Sequence, residues 1–223
     1  MIDLSKIPAK YNSQKKGATQ MHIGPASLNY CHLLEPYAAD GVDQKDAKYS
    51  VQIRFPKTDK NTIAIIQAIV KEIFASQTAA KKWGSAKPNP KNVMAELLHD
   101  GDEKFNETGD ESYKGCWYIN AKSQSKPGVK NIWNADITNP DEAHSGIIGV
   151  VSVNFYAYAV SGKKGIGCGL NNVLKVDEGE TIATRASAES DFDGLFDSPL
   201  DAGTEAPTDQ PKAEDVDPFG DWQ

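Results

Sequence analysis

Cysteine is scarce. The three thiols, Cys31, Cys116 and Cys168, are odd in number and far apart. That spacing argues against a disulfide framework, and no CxxC pair suggests zinc. Free, buried thiols in a reducing compartment are the expectation, which makes the protein cytoplasmic. No apolar run approaches the ~18–20 residues a membrane helix needs, so no membrane partner is expected. The opening MIDLSKIPAK lacks the basic-then-apolar order of a secretory signal. The four histidines, His22, His32, His99 and His144, show no HExxH or other metal spacing. Gly162, Gly165, Gly167 and Gly169 are not a G-x-G-x-x-G, no Walker sequence occurs, and no cysteine or serine sits in a nucleophile motif. Read as a calcium loop, the stretch from Asp100 fails where Lys104 and Phe105 stand in place of a ligand and a glycine. No catalytic residue, cofactor or metal is therefore expected, and the sequence reads as that of a binding protein rather than an enzyme.

Charge is what the chain has, unevenly. Residues 187–223 hold 11 acidic residues against the single base Lys212, a net −10, while residues 1–186 hold 20 acids and 23 bases, a net +3. The overall −7 thus hides a mildly cationic body and an anionic end. Hydrophobic periodicity stops after about Arg185, and Ser, Asp, Gly, Pro and Glu take over. This predicts a folded domain over 1–186 and a disordered acidic tail over 187–223.

Within the body, KYSVQIRFPK (48–57) alternates: Tyr49, Val51, Ile53 and Phe55 share one face, Ser50, Gln52 and Arg54 the other. LNYCHLLEPY (28–37), GCWYINAKS (115–123), GIIGVVSVNFYAYAV (146–160) and IGCGLNNVLKV (166–176) read as further strands, the last two joined by a turn at SGKKG (161–165). Paired glycines in the last strand suggest bending or close backbone approach. Residues 58–84 carry Ile63, Ile66, Val70, Ile73 and Phe74 at helical spacing, with Thr58 or Asp59 as N-cap and Gly84 as stop. Residues 85–92 read as an irregular basic connection, 99–115 as a charged loop and 124–134 as a basic loop. The prediction is a mainly β fold with one long helix, a small Greek-key barrel of at least five strands, with a disordered acidic tail.

Single-stranded nucleic acid needs cations along its phosphates and flat side chains under its bases, the latter worth roughly 1–3 kcal/mol per base. The faces turned away from the core supply both. They carry Gln52 and Arg54 on one strand, Tyr118, Asn120 and Lys122 on a second, and Asn154, Tyr156 and Tyr158 on a third. Lys126, Lys130, Trp133, Lys163 and Lys164 lie on the adjoining turns. Tyr156 and Tyr158, two apart, project from one face of an uninterrupted strand. The tail adds Asp215, Asp217, Phe219, Asp221 and Trp222. Its carboxylates can mimic phosphates and its aromatics bases. A flexible segment of this length spans roughly 30–36 Å, enough to reach any groove on a body with a radius of gyration near ~16 Å. Tethering at roughly millimolar effective concentration makes it a competitor for DNA and, once displaced, a handle for other proteins.

At KYSVQIRFPKTD, GCWYINAKS, VSVNFYAYAVSGKKGIGCGLNNV and the acidic tail, the chain resembles the phage family of OB-fold single-stranded DNA-binding proteins, over about residues 17–190. The resemblance implies an OB-fold that coats single strands during phage DNA replication or recombination, in the host cytoplasm. Single-stranded DNA is the implied partner, with replication proteins such as a DNA polymerase or helicase met through the tail. The tail is similar in plan to those of bacterial and T7-like relatives but departs from them, because Gly220, Asp221, Trp222 and Gln223 follow Pro218-Phe219. Two alternatives remain open at this point: a metal-dependent nuclease using the Asp100–Glu103 loop, and a protein-interaction adaptor that binds no DNA.

Overall fold

The parity of residues 48–57 sets the sheet: odd-numbered side chains point inward and the rest of the barrel closes around them. The computed structural model describes residues 4–179. Expectations for 187–223, including the tail contacts Asp215, Asp217, Phe219, Asp221 and Trp222, lie outside the described residues. In chain order the elements are β1 (Gln14–Lys15), β2 (Gln20–Tyr37), β3 (Lys48–Pro56), α1 (Lys60–Ala75), α2 (Gln77–Trp83), α3 (Pro90–Leu97), β4 (His99–Asp100), α4 (Gly101–Thr108), β5 (Cys116–Ser123), β6 (Gly128–Lys130), β7 (Ile148–Val160) and β8 (Lys163–Asp177).

Five strands form the barrel. β2 pairs antiparallel with both β3 and β7, β3 with β5, and β7 with β8. β8 then returns to β5 in parallel through Lys122 and Gly169. The closed ring β2-β3-β5-β8-β7 has the connectivity of an OB-fold: the Greek-key barrel expected from the alternation and the hairpin, and the fold the resemblance implies. β1, β4 and β6 are short additions beside β2, β5 and β8. Val51, Ile53, Phe55, Ile119, Ala121, Val151, Val153, Phe155, Ile166, Cys168 and Leu170 fill the interior. Cys116 and Cys168 are buried and Cys31 half-buried, all three free. Burial pushes the Cys31 thiol up to about 12 and the Cys116 thiol up to about 11.

Two expectations are corrected. β2 is 18 residues long, beginning at Gln20 rather than Leu28. Gly24 and Pro25 interrupt its apolar pattern, yet the strand continues through a register shift between Ile23 and Ala26. The long helix over 58–84 is broken: α1 and α2 meet at an angle of 67°. Ser76, in an extended conformation, both ends α1 and caps α2, its Oγ donating to the Ile73 carbonyl (2.8 Å) and accepting from the Ala79 amide (3.1 Å). Asp59 is the N-cap of α1, accepting from the Thr62 amide at 3.0 Å. Trp83, at the end of α2, is buried against Phe74 and donates its indole N–H to the Tyr158 carbonyl at 3.0 Å. That contact ties the helices to β7.

Candidate nucleic-acid interface

Because side chains alternate along a strand, the residues between the core positions of β3, β5, β7 and β8 all face outward. Their register lines them up across the barrel. Ser50 pairs with Lys122, Lys122 with Gly169, Gly169 with Asn154, and Asn154 with Gln20. One row thus crosses five strands. Beside it on β3 and β5, Gln52 pairs with Asn120 and Arg54 with Tyr118. On the other flank, Tyr156 pairs with Gly167 and Tyr158 with Gly165.

The glycines of β8 explain how the tyrosines lie. A Cβ on Gly167 would fall 2.7 Å from Cζ of Tyr156, and one on Gly165 would fall 2.8 Å from the Tyr158 hydroxyl. Each ring leans over a glycine and occupies the space a side chain would need. Gly169 is similarly covered by Asn154, whose Oδ1 would lie 2.6 Å from such a Cβ. The close approach suggested by the paired glycines is therefore to aromatic rings. Tyr156 stays 45% exposed.

The cations divide by accessibility. Lys122, Lys126 and Lys163 are exposed and have no ion-pair partner among the described residues. Lys163 follows the two-residue turn Ser161-Gly162, whose positive φ values (49° and 80°) suit a tight hairpin. Lys164 is already engaged, donating to the carbonyls of Trp83 and Ala86 at the end of α2. Lys130 pairs with Asp136 at 2.8 Å. Trp133 is 79% exposed on a turn in which Asn131 Oδ1 accepts from the Trp133 and Ala135 amides, both at 3.0 Å.

Gln52 and Arg54 face the predicted way but lie beneath the surface, 7% and 5% exposed. Neighbours that sequence reasoning did not name cover them. Arg54 Nε donates to Gln52 Oε1 at 2.7 Å, and its guanidinium carbon sits 3.7 Å from the Tyr113 ring centroid and 5.7 Å from that of Tyr30. Tyr113 meets Tyr118 edge-on at 5.4 Å, and Tyr118 stacks on His99 at 4.8 Å. Burial first, then the Tyr30 hydroxyl, pushes the Tyr113 phenol up to about 12. Tyr30 lies within the strand expected at 28–37, but nothing local in the sequence brings Tyr113 to it.

The charged stretch over 99–115 is not a loop but β4, α4 and a 3-10 turn. Asp100 and Asp102 are structural. Asp100 caps α4, accepting from the Asp102 amide at 2.8 Å, and both Asp100 and Asp102 pair with Lys57. Asp102 also accepts from the Gly115 amide at 2.6 Å; that bond first, then Lys57, holds its pKa below the usual carboxylate value. Among the described residues no three His, Cys, Asp or Glu gather as metal ligands. Of the acids the nuclease alternative relied on, Asp100 and Asp102 are thus held by Lys57.

No curated protein matches the sequence. Among solved structures, the chain is similar to the single-stranded DNA-binding protein from bacteriophage Enc34 in complex with ssDNA. That match has 23% identity and a TM-score of 0.60, over 79% of this chain and 100% of the other. A second structure of the single-stranded DNA-binding protein from bacteriophage Enc34 gives 23% identity and a TM-score of 0.57, over 80% and 91% of the two chains. Its C-terminal truncation gives 22% identity and 0.59, over 77% and 97%. At these identities the likeness concerns the fold. Residues 19–203 match the family described as Enterobacter phage Enc34, ssDNA-binding protein, and the chain belongs to that family.

Proposed function

We propose that this protein binds single-stranded DNA without sequence preference along the outward band of β3, β5, β8 and β7. The observation that carries it is the row from Lys122 across Gly169 to Asn154, flanked by tyrosine rings lying over bare glycine backbone. Exposed lysines supply counter-charge for phosphates and Tyr156 a face for bases. The stacking faces are closed to a paired duplex, whose bases cannot splay. Family membership supports the same reading, since the family is one of single-stranded DNA-binding proteins rather than enzymes.

The finer assignment is protection of single strands during phage DNA replication and recombination, in the host cytoplasm. The acidic tail competes with DNA for the band and, when released, contacts replication proteins. The charge division, −10 over residues 187–223 against +3 over 1–186, supports the competitor role. Titrating single- and double-stranded oligonucleotides against the full chain and a version ending at Ala186 tests both levels. Tighter binding by the shortened protein, with the larger relative gain on duplex, is expected. Equal affinities refute the competitor role. Failure of the shortened protein to retard a single strand at low salt refutes binding itself and leaves the adaptor alternative.

A further inference from the structure

We infer that Tyr30 is a pre-set stacking platform for one unpaired base of a bound strand, aimed by the Arg54 guanidinium beneath it; this rests on the single-strand reading above. Tyr30 has φ +48°, in the left-handed region that a bulky aromatic rarely occupies. It lies in β2 where the pairing with β3 shifts register between Asn29 and His32. Such bulges re-aim a side chain, and here the ring ends 56% exposed. A strained backbone that sends a large ring into solvent does not serve the core.

Below the ring Arg54 is held by several contacts. Arg54 lies between Tyr30 and Tyr113, bonded to Gln52 and to Ser112 Oγ. No carboxylate pairs with it directly among the described residues; Asp110 is reached only through Ser112. Behind Tyr113, Tyr118 packs edge-on against its ring and stacks in turn on His99. Tyr30 is the exposed member of this cluster. Tyr30 is also next to the proposed band: its neighbour Asn29 pairs with Gln52, and Gln52 with Asn120. A planar group arriving along that band would stack on the open face of Tyr30. Arg54 is on this view a positioning residue, not a phosphate contact.

The test titrates a labelled oligothymidine against the full chain at several salt concentrations. Tyr30→Asn, which tolerates positive φ, should weaken binding roughly 5- to 150-fold, the worth of one stacked base, with an unchanged salt slope. Tyr30→Phe should stay within about twofold, because the ring face remains. Arg54→Met should weaken binding without lowering the salt slope; a lowered slope would make Arg54 a phosphate contact and overturn its positioning role. In wild-type complexes, an oligonucleotide carrying 5-iodouracil should crosslink to Tyr30, a readout independent of how the variants fold. Wild-type affinity in Tyr30→Asn, an equal loss in Tyr30→Phe, or a complex with no crosslink at Tyr30 overturns the inference alone. A wild-type protein that binds no oligonucleotide overturns the parent reading and this inference with it.

Discussion

Replacing Gly167 by alanine separates function from fold. The new methyl would sit 2.7 Å from Cζ and 2.8 Å from the hydroxyl of Tyr156, where ordinary contact begins at 3.4 Å. The ring must withdraw by about 0.7 Å or swing away. Tyr156 is 45% exposed, so solvent lies on its free side. Leaving its rotamer should cost about 0.5–1.5 kcal/mol of stability. Binding should suffer more, because a displaced ring no longer presents its face at the height set by bare backbone. The loss of one stacked base is roughly 1–3 kcal/mol, or a 5- to 150-fold rise in Kd. Fluorescence anisotropy with a labelled oligothymidine reads the affinity, and urea denaturation reads the stability. Gly101→Ala makes the contrast. Its methyl would meet the backbone carbonyls of Tyr113 and Cys116 at 2.3 and 2.6 Å, which cannot swing aside. That variant should lose stability outright. Wild-type affinity in Gly167→Ala, or a collapse as deep as that of Gly101→Ala, would refute the view of Tyr156 as a ring resting on a glycine floor.

Further outcomes are expected, first for two lysines. Lys122→Ala should reduce the slope of log K against log salt by about 0.7, the single-strand value for one phosphate contact. Lys164→Ala should leave that slope alone and instead cost about 1–3 kcal/mol of stability, since it removes the cation bonded to the Trp83 and Ala86 carbonyls. The last outcome concerns pH. Burial pulls His22, His32 and His99 below the ordinary histidine value, with Lys16 adding to the effect at His22. Their neutral forms favour the folded state, so their contribution is complete above the unfolded value near ~6.5 and is lost as pH falls through the depressed folded values. The urea midpoint should be lower at about pH 5.5 than at about pH 7.5; an equal or higher midpoint at the acidic pH would contradict this.

The barrel was legible because its strands carry alternating stretches. Val51, Ile53 and Phe55 declare one face of β3, and Val151, Val153 and Phe155 one face of β7. Breaks were harder to read. Ser76 looks helical by its neighbours, and only its extended backbone and two-way hydrogen bonding split α1 from α2. Gly24-Pro25 reads as a strand end, yet β7 holds β2 in place on both sides of it. The outward direction of Gln52 and Arg54 was legible, whereas their burial was not. It depends on Tyr30 and on Tyr113, which arrives from a 3-10 turn nearly sixty residues further along. Such pairings leave no periodic trace. The same holds for the commitment of Lys164 to α2, which turns an apparent phosphate-tracking lysine into a structural one.

The pairing of β2 with both β3 and β7 also dictates a schedule for synthesis. The ribosome delivers β2 and β3 early, but one flank of β2 must wait for β7, and β5 must wait for β8. A nascent chain that has not reached Ile148 therefore carries two unclosed sheet margins, each able to recruit a stranger. Any fragment ending there should be prone to aggregate, while one that includes Asp177 has every barrel margin sealed.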